Sequence, residues 1–137
     1  MPRIIVALIV CLFAFPAQAR HHHHHHHYRH RSYDRGEIVA HPSVCPWRAS
    51  CGCIASVRAF GHAVRELFLA ANWRKFPPAA PGPGMAAWRY GHVFIIEQAY
   101  GDGTVLAYDG NSGHHQTRIH RRSLSGFHVV NPQVASR

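Results

Sequence analysis

Proline and glycine punctuation divides this chain before any other feature does. Pro77-Pro78 and then Pro81-Gly82-Pro83-Gly84 exclude a continuous helix or a central strand and force a turn. Upstream of that break apolar residues recur at helical spacing, and downstream they gather in short β-branched and aromatic runs. From Gly52 the series Ile54, Val57, Phe60 predicts a helix that stops at Gly61, a residue suited to terminating one. A second series, Val64, Leu67, Phe68, Ala71, predicts another helix ending near Trp73 or Phe76. Beyond the break, Met85 to Trp88, His92 to Glu97, Thr104 to Tyr108, Thr117 to His120 and Phe127 to Val130 read as strands, with Gly101-Asp102-Gly103 as a hairpin signal. Two helices followed by about five antiparallel strands make an α+β domain, placed at residues 44–132, and no internal repeat is present.

The residues ahead of that domain cannot contribute to its core. Arg3, the apolar run Ile4 to Phe15, Pro16 and then Ala17-Gln18-Ala19 have the order of a secretory signal peptide over residues 1–19, cleaved after Ala19. A helix over that apolar run rises only about 18 Å against roughly 30 Å of bilayer hydrocarbon, so no stable membrane span is expected after cleavage. Residues 20–43 read as a disordered tail. Within it His21, His22, His23, His24, His25, His26 and His27 follow one another, His30 comes shortly after, and no aliphatic residue occurs before Gly36. Neutral imidazoles at such loose spacing can take zinc, nickel or copper; the other reading is a solvated, pH-sensitive basic linker. Residues 133–137 form a short C-terminal tail.

Charge and cysteine count narrow the partners. Without Arg3 the 15 basic residues become 14 against 6 acids, a charge of +8 with histidines neutral. That sign favours anionic surroundings, and export points to the cell envelope rather than to nucleic acid. Of the four cysteines Cys11 leaves with the signal, so Cys45, Cys51 and Cys53 remain. In an oxidising compartment one disulfide leaves one thiol over, and that thiol needs an explanation.

A cysteine at the start of a helix is chemically distinctive, because unsatisfied amides and the helix dipole there stabilise a thiolate. Cys51 holds that position. A thiolate nucleophile needs an imidazole to pair with and to protonate the leaving amine, and His92 opens the longest strand. The imidazole needs a polar partner in turn, and Asp109 or Asn111, ending the next strand, can reach it across the hairpin.

Gly91-His92-Val93-Phe94-Ile95-Ile96-Glu97, Gly101-Asp102-Gly103-Thr104-Val105 and Asp109-Gly110-Asn111 resemble the CHAP family of cysteine, histidine-dependent amidohydrolases and peptidases, kin of the NlpC-type cell-wall peptidases. Ala71-Asn72-Trp73 and Pro83-Gly84-Met85-Ala86-Ala87-Trp88 resemble the segments before the histidine in those proteins, so the likeness covers about Cys51 to Pro132. The resemblance implies a papain-like fold, Cys51 as nucleophile, His92 as general base, Asp109 or Asn111 as the orienting residue, and an amide bond of peptidoglycan or a cell-wall peptide as substrate. No cofactor is required for that chemistry, and a monomer in the periplasm or outside the cell is expected. The run Cys51-Gly52-Cys53-Ile54 departs from the family, which places an aromatic residue soon after the nucleophile, so either Cys51 or Cys53 can match it. Two cysteines so close in a helix point to different sides, and the pairing expected is Cys45 with Cys53. A Cys45–Cys51 bridge would instead favour the rival reading, a catalytically inactive envelope protein that binds wall polymer or metal.

Other residues have simpler readings. Trp47, Trp73 and Trp88 suit core or rim packing as readily as a sugar-binding cleft. His114, His115, His120 and His128 could join a zinc site with Cys51 or Asp109 but match no zinc spacing. Arg118, Arg121 and Arg122 read as a solvated basic edge.

Overall fold

In the computed structural model the described residues are 36–48 and 50–134, so the expected signal peptide, the histidine tract from His21 to His30 and residues 135–137 lie outside them. One α-helix, α1 (Cys51–Phe60), precedes the break, and the strands are β1 (Glu37–Val39), β2 (Ala86–Arg89), β3 (His92–Ala99), β4 (Thr104–Asp109), β5 (Thr117–Ser123) and β6 (His128–Val130). They form one antiparallel six-stranded sheet in the order β1-β5-β4-β3-β2-β6. The α+β expectation holds at this level.

The helix forms where the apolar spacing placed it and ends as expected. Gly61 adopts φ 78°, and its N–H donates to the Val57 carbonyl at 2.8 Å, which satisfies an end group of the helix. The second predicted helix is corrected: the segment consists of two short 3-10 pieces, Arg65–Leu67 and Ala70–Lys75, with Leu69 extended before the second. Side chains take carbonyls that an α-helix would use internally. The buried Trp73 indole donates to the Leu67 carbonyl at 2.9 Å, and the Asn72 amide donates to the Glu66 carbonyl at 2.6 Å.

Strand β1 corrects a second expectation, since it falls inside the tail assigned to residues 20–43. Glu37, Ile38 and Val39 pair with Ile119, Arg118 and Thr117 of β5. Gly36 ahead of them lies so close to β5 that a Cβ there would stand 2.3 Å from the His120 Cβ. The start of the strand thus covers the histidine, and a larger residue could not.

Both faces of the sheet are apolar at β3, which explains its unbroken run from Val93 to Ile96. On one face Val93, Ile95, Ala86 and Trp88 meet Ala55 of α1 with Leu67, Trp73 and Phe76 of the 3-10 segments. On the other, Phe94, Ile96, Ala87, Val105 and Ala107 pack with Phe127 and Leu124. Burying each large side chain of this kind contributes about 1.5–3 kcal/mol. Trp73 and Trp88 belong to the core, whereas Trp47 is 60% exposed. Arg58 of α1 donates from Nε and Nη2 to the two Glu97 oxygens of β3 at 2.7 and 2.6 Å, which sets the helix over the sheet. Among the described residues no helix is long and apolar enough to cross a membrane.

Candidate active site

Cys51 begins α1 and is buried, and its thiol is free. Cys45 and Cys53 form the disulfide, with their Cα atoms 5.7 Å apart. The bridge ties the loop before the helix to the helix's first turn, with Cys51 between the bridged positions. Gly52 follows for a steric reason: a Cβ there would lie 2.3 Å from the carbonyl oxygens of both Leu67 and Phe68. The 3-10 segment thus passes close behind the helix start.

His92 opens β3, hydrogen-bonded to Asp109 and interacting electrostatically with the Cys51 thiol. Its Nε2–H donates to Asp109 Oδ1 at 2.7 Å. Asp109 ends β4 with its side chain wholly buried, while the His92 side chain is 13% exposed. The chain turns away immediately after Asp109, because Gly110 is pressed on Ile54 of α1 so that a Cβ would stand 2.6 Å from it. Asn111 consequently sits at φ 59°, with its Oδ1 accepting from His115 Nδ1 at 2.9 Å. Of the two expected orienting residues, Asp109 meets the imidazole and Asn111 does not.

Two further groups converge on the same carboxylate. His120 Nε2 lies 3.0 Å from Asp109 Oδ2, and Arg122 Nη1 donates to that oxygen too. Arg122 was expected on a solvated edge with Arg118 and Arg121, and only Arg121 fits that description, pairing at the surface with Asp102 at 2.5 Å. The strand period carried a faint signal for this difference, since residues 118, 120 and 122 of β5 share the face of Asp109. His120 was expected only as a candidate zinc ligand. Among the described residues no group of three or more His, Cys, Asp or Glu side chains is arranged to hold a metal ion.

The electrostatics favour a charge-separated pair. Burial pushes the Cys51 thiol up, but the hydrogen bond and charge of His92, with the backbone amides of Val93 and Gly52, bring it below the ordinary cysteine value. Burial alone would make His92 a weaker base; hydrogen bonds to Asp109 and Cys51 and the Asp109 charge raise it to about 9 instead. Burial likewise works against ionised Asp109, and the hydrogen bonds from His120 and His92 with the charges of His92 and Arg122 hold it well below the usual carboxylate range. Between the lowered thiol and the raised imidazole lies a pH window in which thiolate and imidazolium coexist.

A cavity of about 450 Å³ has Phe127 among its lining residues, while Cys51, His92 and Asp109 do not line it; the Phe127 ring meets the His92 ring edge-on at 6.4 Å between centroids. Arg74, Phe76, Pro78, Trp88 and His128 line the remainder with the β6 backbone. Its size is that of a small-ligand or peptide side-chain pocket.

Compared with known proteins, the chain matches no family model and no curated protein sequence.

Proposed function

We propose that this chain is an exported cysteine hydrolase of CHAP type and papain-like fold that cleaves amide bonds in peptidoglycan or cell-wall peptides. The observation that carries the reading is a free Cys51 thiol at the start of α1 whose electrostatic partner, His92, is hydrogen-bonded to buried Asp109. The Cys45–Cys53 disulfide supports an oxidising compartment. The basic charge suits a wall peptide.

In this mechanism the Cys51 thiolate attacks the amide carbonyl carbon, and the carbonyl electron pair moves onto oxygen, where amides at the helix start stabilise it. The His92 imidazolium gives its proton to the departing nitrogen. The C–N bond breaks and a thioester remains. A water molecule then attacks the thioester as neutral His92 takes its proton, the C–S bond breaks, and thiolate and imidazolium are restored. Asp109 stays ionised throughout and keeps the imidazole in the tautomer and orientation that both steps need.

The test combines mature protein with purified peptidoglycan and with amide-linked wall fragments, reading new amines and fragment masses. Release that is abolished in Cys51→Ala and in His92→Ala supports the proposal. Wild-type protein that sediments with the wall but releases no fragment speaks for the binding protein.

A further inference from the structure

We propose that Arg122 is a positioning residue of the Cys51–His92 pair, acting through the Asp109 carboxylate, with His120 as that carboxylate's second anchor. The inference rests on the reading of Cys51 and His92 as the reacting pair and assigns a role to residues outside it. Asp109 has two oxygens with separate partners. Oδ1 accepts from His92, and Oδ2 accepts from Arg122 and faces His120 at 3.0 Å. A carboxylate held at one oxygen can swing about its terminal torsion, and anchors on the second oxygen remove that freedom.

Arg122 is itself held in place. Its guanidinium lies over the Phe94 ring at 5.1 Å and the Phe127 ring at 5.3 Å, and its side chain is only 22% exposed. Held over these rings, the guanidinium presents Nη1 to the carboxylate. His120 is held by Gly36, which packs on its Cβ, and its Nε2 lies 3.3 Å from Ser112 Oγ. The positioning shell thus draws on β4, β5 and Gly36 just ahead of β1, a residue outside the expected domain.

The guanidinium has a second effect. Arg122 Nη1 lies 3.3 Å from His92 Nε2, and both nitrogens are donors when Nε2–H serves Asp109, so this contact is repulsive once His92 is protonated. Arg122 therefore anchors the carboxylate that raises His92 while limiting how far His92 rises, in line with the lowering influence of its charge there. The charged and titratable groups around the pair are Cys51 from α1, Asp109 from β4, His120, Arg122 and Arg118 from β5, and Arg89 from β2, whose guanidinium lies over the same Phe127 ring at 4.7 Å.

The experiment is the pH profile of Cys51 alkylation by iodoacetamide in folded mature protein. The lower inflection reports thiolate formation, and the upper one, expected in the wild type near 9, reports loss of the imidazolium proton. Arg122→Gln keeps a hydrogen-bond donor and removes the charge, so the upper inflection should rise by on the order of one pH unit. Arg122→Lys keeps the charge and should leave the inflection near the wild-type position. A residue of merely structural importance would lower the melting temperature without moving the inflection. Folded Arg122→Gln with an unmoved inflection overturns the proposal, as does an Arg122→Lys profile displaced by a full unit, which remains decisive if Arg122→Gln does not fold. A wild-type Cys51 that labels as an ordinary thiol overturns this proposal and the hydrolase reading together.

Discussion

Replacing Asp109 by asparagine separates charge from shape at the centre of the site. The amide can still present an oxygen to His92 Nε2–H, but the negative charge that offsets the burial of the imidazole is gone, and Arg122 is left facing His92 without its counter-ion. His92 should therefore fall from about 9 to its unperturbed 6.5 or below. At pH 8 the wild-type imidazole is about 90% protonated and the variant about 3%, roughly a thirtyfold loss of the ion pair. Stability moves in the same sense. A histidine raised in the folded state contributes stability that is present in full below the unfolded value near 6.5 and lost as pH climbs through about 9. A rise from 6.5 to 9 corresponds to about 3 kcal/mol, which a fall to 6.5 removes. The assay is iodoacetamide labelling of Cys51 from pH 4 to 10 beside thermal melts at pH 6 and pH 9. The stability difference between wild type and Asp109→Asn should be larger at pH 6 than at pH 9. An upper labelling inflection that stays near 9 in folded Asp109→Asn would refute the assignment of Asp109 as the source of the imidazole's basicity.

Two predictions concern the frame that holds the nucleophile. Gly52→Ala drives a Cβ to 2.3 Å from two backbone oxygens, which cannot rotate away as a side chain can, so either α1 or the 3-10 segment must shift. Overpacking of this kind costs about 1–3 kcal/mol, or roughly 5–20 °C in melting temperature for a domain this size, and Cys51 labelling at pH 6 should slow; a melt within 2 °C of wild type would show that the contact yields easily. Replacing Cys45 and Cys53 together by alanine opens a loop of sequence separation 8, worth about 2.5 kcal/mol on chain-entropy grounds. Melting should fall by roughly 10–20 °C, and dithiothreitol should lower the wild-type melt by a similar amount without affecting the double variant; a reductant-insensitive wild type would contradict the bridge.

What was legible in the sequence was whatever a local pattern encodes. The 3.6-residue period from Ile54 to Phe60 with Gly61 behind it, the β-branched run at Val93, and Gly101-Asp102-Gly103 each describe one element by its own residues, and each forms as read. Cys51 at a helix start and His92 at a strand start belong to the same class of signal. Those features determine an α+β chain with a free thiol to explain. What they leave open depends on residues distant in the chain. The carbonyls of Glu66 and Leu67 are drawn to Asn72 and Trp73, so an apolar series of helical period becomes 3-10 turns. Three residues, Glu37 to Val39, carry too little pattern to mark a strand and become one because β5 offers an open edge. Asp109 rather than Asn111 reaches the imidazole because Gly110 is pinned against α1, and Arg122 leaves the surface because Phe94, Phe127 and Asp109 meet on its side of the sheet. Periodicity states which face of an element is buried; which charged group meets which depends on strand register and on packing between elements, and these exist only once the sheet has closed around the site.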